Sequence, residues 1–126
     1  MVKSDYFYRT ALALYKQGDF INSMSRAWYA CLHTMRDNLE TKTNVTSHKD
    51  VINKFVTLNN LSSEFKDLLT SYYVMRERAD YQRGDYSLEY YQDLFSSVII
   101  EMLVFVHQQQ QGRQQLTKSS VFTKGS

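Results

Sequence analysis

Apolar side chains recur at spacings of three and four along most of this chain, the mark of helices that bury one face. Phe7, Ala11, Leu14 and Tyr15 predict a first helix from about Ser4 to Gln17, with Ser4 as its N-cap. Gly18 and Asp19 read as a tight helix–helix connection. Phe20, Met24, Ala27, Trp28, Cys31, Met35 and Leu39 predict a second helix from about Asp19 to Thr41. After a polar loop through Thr46, a short third helix starts near Ser47, carries Val51, Ile52, Phe55 and Val56, and is broken by Asn59-Asn60. Ser62 caps a fourth helix reaching about Ala79, and Ser87 caps a fifth reaching about Gln111. In the fifth, Leu88, Tyr91, Phe95, Val98, Met102 and Phe105 form the stripe. Ile99, Ile100, Leu103, Val104 and Val106 widen it beyond one face. So wide an arc predicts a central helix, or a helix that gives part of its arc to self-association. No strand alternation and no internal repeat is visible. The pattern predicts an all-α bundle of four main helices and one short helix.

Composition sharpens this reading. The chain has 126 residues, no proline, and glycine only at Gly18, Gly84, Gly112 and Gly125, where helical patterns stop. One helical domain is expected over 4–111, followed by a polar, basic tail over 112–126 that contains Arg113, Lys118 and Lys124 and is read as disordered. Hydrophobic residues make up 43% of the chain, enough for a core in one domain. A net charge of +2 is too small to announce a nucleic-acid binder by itself, so any phosphate site must be local. The single cysteine, Cys31, excludes an internal disulfide, fits a reducing compartment, and sits among Trp28, Ala30, Leu32 and Met35 as a core residue. Met1 to Asp5 lacks a signal-peptide apolar run. Val98 to Val106 is too short for a bilayer and is interrupted by Glu101. A cytoplasmic, soluble protein without membrane contact is expected.

The chemistry concentrates in Arg76-Glu77-Arg78-Ala79-Asp80-Tyr81, followed by Gln82-Arg83-Gly84-Asp85. Arg76 falls on or beside the stripe Phe65, Leu68, Leu69, Tyr72, Tyr73, Met75, Ala79. A guanidinium there must be paired, for instance with Asp80 four residues on, or shown to an anionic ligand. His33, His48 and His107 fall on three separate elements, without metal-ligand spacing. No glycine-rich phosphate loop and no cofactor signature occurs. The ten tyrosines read as core and rim packing, or as a base-stacking wall beside the arginines.

Several segments, in order, resemble the HEPN superfamily (higher eukaryotes and prokaryotes nucleotide-binding domain). Ser25-Arg26-Ala27-Trp28-Tyr29-Ala30-Cys31-Leu32-His33 is similar to its "sRaYYAmfh" signature, preceded by Gly18-Asp19-Phe20 for "gdy". Ser47 to Phe55 resembles "sH..vi..F", and Arg76 to Tyr81 resembles the "R..aDY" of the small bacterial branch. Ser87-Leu88-Glu89 opens a closing helix that ends in Phe105-Val106. The resemblance spans about residues 6 to 108 and implies a helical bundle of four main helices and a short one. It implies homodimers with arginine motifs facing a cleft, RNA or nucleotide ligands, and a small nucleotidyltransferase antitoxin as partner. Many members are metal-independent ribonucleases. In them an arginine holds the scissile phosphate and a histidine, four to six residues on, moves a proton.

Here those histidine slots hold Tyr81, Gln82 and Arg83 counted from Arg76, and Arg83, Gly84 and Asp85 counted from Arg78. A phenol with an ordinary pKa of about 10 is a poor base at neutral pH. The resemblance therefore implies a module that binds RNA or nucleotide phosphate. Arg76, Arg78 and Arg83 would contact the anion. Tyr29 and Asp80 would support them, with Asp80 orienting Arg76 or Arg26. Two alternatives stay open: a metal-independent endoribonuclease toxin using Arg76 with His48 or Tyr81, and a structural adaptor whose Ala79-Asp80-Tyr81 segment packs on a nucleotidyltransferase. No metal and no cofactor is implied.

Overall fold

Helix starts follow from side chains that hold the first unpaired backbone N–H groups. In the computed structural model, which describes residues 3–39, 47–81 and 89–119, three such caps are in place. The Asn22 backbone N–H donates to Asp19 Oδ1 (3.2 Å), that of Asp50 to Ser47 Oγ (3.1 Å), and that of Phe65 to Ser62 Oγ (3.1 Å). They open α2 (Phe20–Asn38), α3 (His48–Leu58) and α4 (Ser63–Tyr81). The remaining helices are α1 (Lys3–Lys16) and α5 (Glu89–Ser119). Among the described residues 91% are helical and none forms a strand, so the all-α bundle expected from periodicity is the architecture.

Boundaries differ from the sequence pattern in a few places. Ser4 lies inside α1 and is buried rather than capping it. The cap expected at Ser87 lies outside the described residues. Gly18 ends the first segment with φ +83°, a left-handed conformation that a side chain would strain even though no atom crowds the site. Gly112 does not stop α5, which continues to Ser119 instead of ending at Gln111. One glycine costs only about 1 kcal/mol against alanine, and an established helix can carry it.

The hub of the bundle is α2, which packs against all four other helices. The wide apolar arc of α5 fits either a central helix or one that keeps part of its arc for self-association, and α5 is not the centre. It buries Phe95, Ile99, Met102, Leu103, Phe105 and Val106 but leaves Ile100 and Val104 each 47% exposed. The small residues Ser23, Ala27, Ala30 and Cys31 on α2, all at 0% exposure, let neighbouring helices approach closely. Directed bonds fix the register. Ser23 Oγ donates to the Ala11 carbonyl (2.7 Å), Cys31 Sγ to the Met102 carbonyl (3.6 Å), and Tyr72 Oη to Glu101 Oε1 (3.1 Å). Trp28, the largest side chain of the core, is fully buried on the face of α2 that meets α3 and α4.

Candidate anion site at the junction of three helices

Spacings of three and four place Leu69, Tyr72, Arg76 and Ala79 on one buried face of α4. Arg76 is thus a cation on a core stripe, 9% exposed. Burying it requires partners, and two are present. Arg76 Nη2 donates to Tyr29 Oη on α2 at 2.8 Å. Arg76 Nε lies 2.9 Å from Asp80 Oδ2, one turn further along α4. The Nε–H direction misses that carboxylate oxygen, so the Asp80 contact is an ion pair rather than a directed hydrogen bond. That Nε is itself buried without a hydrogen-bond partner, so the guanidinium fork is only partly used.

His48 enters from the first turn of α3, placed there by the Ser47 cap. Its ring is enclosed by three aromatic neighbours. The Trp28 ring centroid is 5.9 Å away, that of Tyr73 is 5.5 Å away and edge-on, and that of Tyr29 is 6.2 Å away and edge-on. Trp28 Nε1 donates a hydrogen bond to His48 Nδ1 at 3.1 Å. Burial lowers the His48 pKa below the ordinary imidazole value, and the Arg76 and Arg36 charges lower it further against a smaller opposing effect of Glu77. Tyr73 Oη donates to Glu77 Oε2 (3.0 Å); burial and then that bond push the phenol up. On the other side of Tyr29, Phe7 stacks on His33 with centroids 5.3 Å apart. Burial, then Arg36 and Lys3, lower the His33 pKa.

The structure therefore brings Arg76, Asp80, Tyr29 and His48 together from α4, α2 and α3. It does not gather all the arginines. Arg78 is exposed and two residues from Arg76, which puts it on the opposite side of α4. Arg83 lies outside the described residues. Tyr81 is 74% exposed at the end of α4. Asp80 pairs with Arg76 and not with Arg26, which is exposed on α2.

The sequence reading missed three members of this junction: the Trp28 indole N–H, Tyr73 and Arg36. Arg36 follows Tyr29 by seven residues, two turns along the same side of α2, and that spacing was the available signal. Its Nε is buried without a hydrogen-bond partner.

A partly engaged guanidinium, a second guanidinium and a neutral imidazole make an environment suited to an oxyanion. Among the described residues, no group of three or more His, Cys, Asp or Glu side chains could hold a metal ion, and no helix is long and apolar enough to cross a membrane. No family model, curated protein or solved structure matches the chain.

Proposed function

We propose that this chain is a HEPN-like module that binds the phosphate of RNA or of a nucleotide beside Arg76. The observation that carries the reading is the placement of Arg76 on a buried helix face, held by Tyr29 and Asp80 next to His48. A guanidinium orphaned at a core position is costly, whereas one supported from two helices is pre-organised for a ligand. Asp80 offsets part of the charge, so affinity is weak. Arg78 adds long-range attraction from the exposed side of α4, and Arg83 is assigned the same role from the sequence.

The test is binding of a single-stranded RNA oligonucleotide by the purified protein. Each phosphate neutralised lowers the logarithm of the binding constant by about 0.7 per log unit of salt. Arg76→Lys keeps a charge but loses the fork, and should weaken binding more than Lys16→Ala at the exposed end of α1. Equal binding by wild type and Arg76→Lys would remove Arg76 from the site.

Proximity of His48 to Arg76 favours a second reading, a metal-independent ribonuclease at the same place. RNA cleavage without added metal, abolished by Arg76→Lys, would establish it.

The assembly belongs to the same proposal. Leu68 on α4 with Ile100 and Val104 on α5 border an apolar groove of about 320 Å³, which also touches Phe65 and Phe105. We assign this face to self-association into a homodimer. The resemblance adds a small nucleotidyltransferase as the protein partner, in a toxin–antitoxin-like pair in the cytoplasm; co-purification of the two expressed together is the check.

A further inference from the structure

The indole N–H of Trp28 is a donor only; it has no acceptor capacity. It is held at 3.1 Å from His48 Nδ1, and Trp28 itself is fully buried on α2. His48 Nδ1 must therefore carry a lone pair, and the single proton of the neutral ring must sit on Nε2. Protonating Nδ1 would bring two N–H groups face to face and leave the buried indole without an acceptor, which is costly. We propose that Trp28 is a positioning residue that locks His48 as the Nε2–H tautomer, so that His48 offers an oxyanion a fixed hydrogen-bond donor and not a proton-accepting base.

The proposal takes its ligand from the phosphate reading above and specifies how that ligand is met. A general base needs an accessible lone pair on the imidazole. The only lone pair of His48 is already used by Trp28, and Nε2–H does not ionise near neutral pH. His48 thus joins Arg76 as a donor to phosphate oxygen, and the ribonuclease reading loses His48 as its proton acceptor. The surrounding charges act in the same direction. Arg36 on α2 and Arg76 on α4 disfavour an imidazolium between them, against the weaker pull of Glu77. Tyr29 and Tyr73 contribute ring edges. Tyr73 directs its hydroxyl proton to Glu77, so that phenol does not compete with Trp28 for Nδ1.

The test is the nitrogen-15 spectrum of the His48 ring in the folded protein, recorded from neutral pH down to about 5, where an ordinary histidine is protonated. The expected result is an unprotonated Nδ1 and a protonated Nε2 across that range. An Nδ1–H tautomer, or an imidazolium forming near the ordinary pKa of about 6.5, overturns the proposal. Trp28→Phe keeps a ring and removes the donor. Its His48 should show mixed tautomers and titrate at higher pH than in wild type, whereas an unchanged spectrum would show that Trp28 does not set the tautomer. Should that variant fail to fold, the wild-type spectrum alone decides. For the ligand, His48→Ala should bind the RNA oligonucleotide about tenfold more weakly, the loss of one hydrogen bond to a charged group. Undiminished binding by His48→Ala would remove His48 as a donor. If wild type binds no RNA, the phosphate reading falls, and with it the ligand assigned to Nε2–H; a wrong tautomer in a protein that binds RNA would sink the lock alone.

Discussion

The seam between α2 and α5 and the junction of α2, α3 and α4 are both buried, yet they are held together differently. At the seam, Cys31, Ile99, Met102 and Val106 are each 0% exposed, and Cys31 crosses it with a long thiol-to-carbonyl bond of 3.6 Å to Met102. Volume does the holding there, so any side chain of similar size fits. At the junction, directed bonds tie Trp28 to His48 and Arg76 to Tyr29, an ion pair ties Arg76 to Asp80, and Tyr73 lies edge-on to His48. Each partner there depends on the chemistry of the next. One region tolerates a change of shape poorly and a change of identity well; the other is sensitive to identity first.

Substitutions can break this contrast. Trp28→Ala gives the largest loss, because Trp28 is both core volume and the partner of His48: about 3–5 kcal/mol by chemical denaturation. A solvent-like fluorescence maximum in the folded wild type would show that this face is assigned wrongly. Arg76→Ala comes next, at about 3 kcal/mol, because the Asp80 carboxylate and Tyr29 hydroxyl lose their partner in a largely buried place. Asp80→Asn should recover part of that loss in the double variant, and a cycle without coupling would mean the pair is idle. The seam provides the control: Met102→Leu, equal in buried position but apolar for apolar, should cost less than about 1.5 kcal/mol.

A change of pH should act on the junction and hardly on the seam. Burial and neighbouring guanidiniums depress the folded-state pKa of His48, and burial with Arg36 and Lys3 does the same for His33. Between each folded value and the unfolded value of about 6.5, the unfolded chain binds more protons than the folded one. Stability is therefore complete above that pH and falls as pH drops through the window. The melting temperature should decline from neutral pH towards pH 5 or so. His48→Gln together with His33→Gln should flatten that decline; an unchanged slope would assign it to other groups.

The smallest effect on stability belongs to the surface. Ile100→Glu should shift the unfolding free energy of the single chain by no more than about 0.5 kcal/mol, since Ile100 is 47% exposed there. The same variant should turn the expected dimer into a monomer by light scattering. A wild-type mass already equal to one chain would end the assembly reading.

Much of the fold was legible because burial on one helix face leaves a period that survives in the sequence. The stripes of α2 and α4, the start of α3 near Ser47 and the cap at Ser62 lie where that period and turn chemistry place them. The centre of the bundle was harder to see. The apolar arc of α5 signals how much surface can be buried. The small residues of α2 decide how closely helices approach, and they add little to an apolar stripe. The end of α5 was obscured because Gly112 carries a local penalty too small to stop an established helix.

At the site, Arg76 was visible as a charge out of place on a stripe, and Asp80 as its neighbour one turn on. The Trp28–His48 bond was not, because it depends on how α3 is rotated against α2, and no local spacing encodes that rotation. Arg78 shows the converse. Nearness in sequence suggested a cluster, but a separation of two positions on a helix points side chains apart.

The burial of Cys31 makes the molecule its own stopwatch. Its thiol is fully enclosed and bonded to the Met102 carbonyl, and burial pushes its pKa well above the ordinary thiol range. Only the thiolate reacts with alkylating or disulfide reagents, so the native state is silent to them. Labelling must wait for α2 and α5 to part, and its rate counts those openings one molecule at a time. With Cys31 as the sole cysteine in the chain, the mass added reports that single event without any engineered probe.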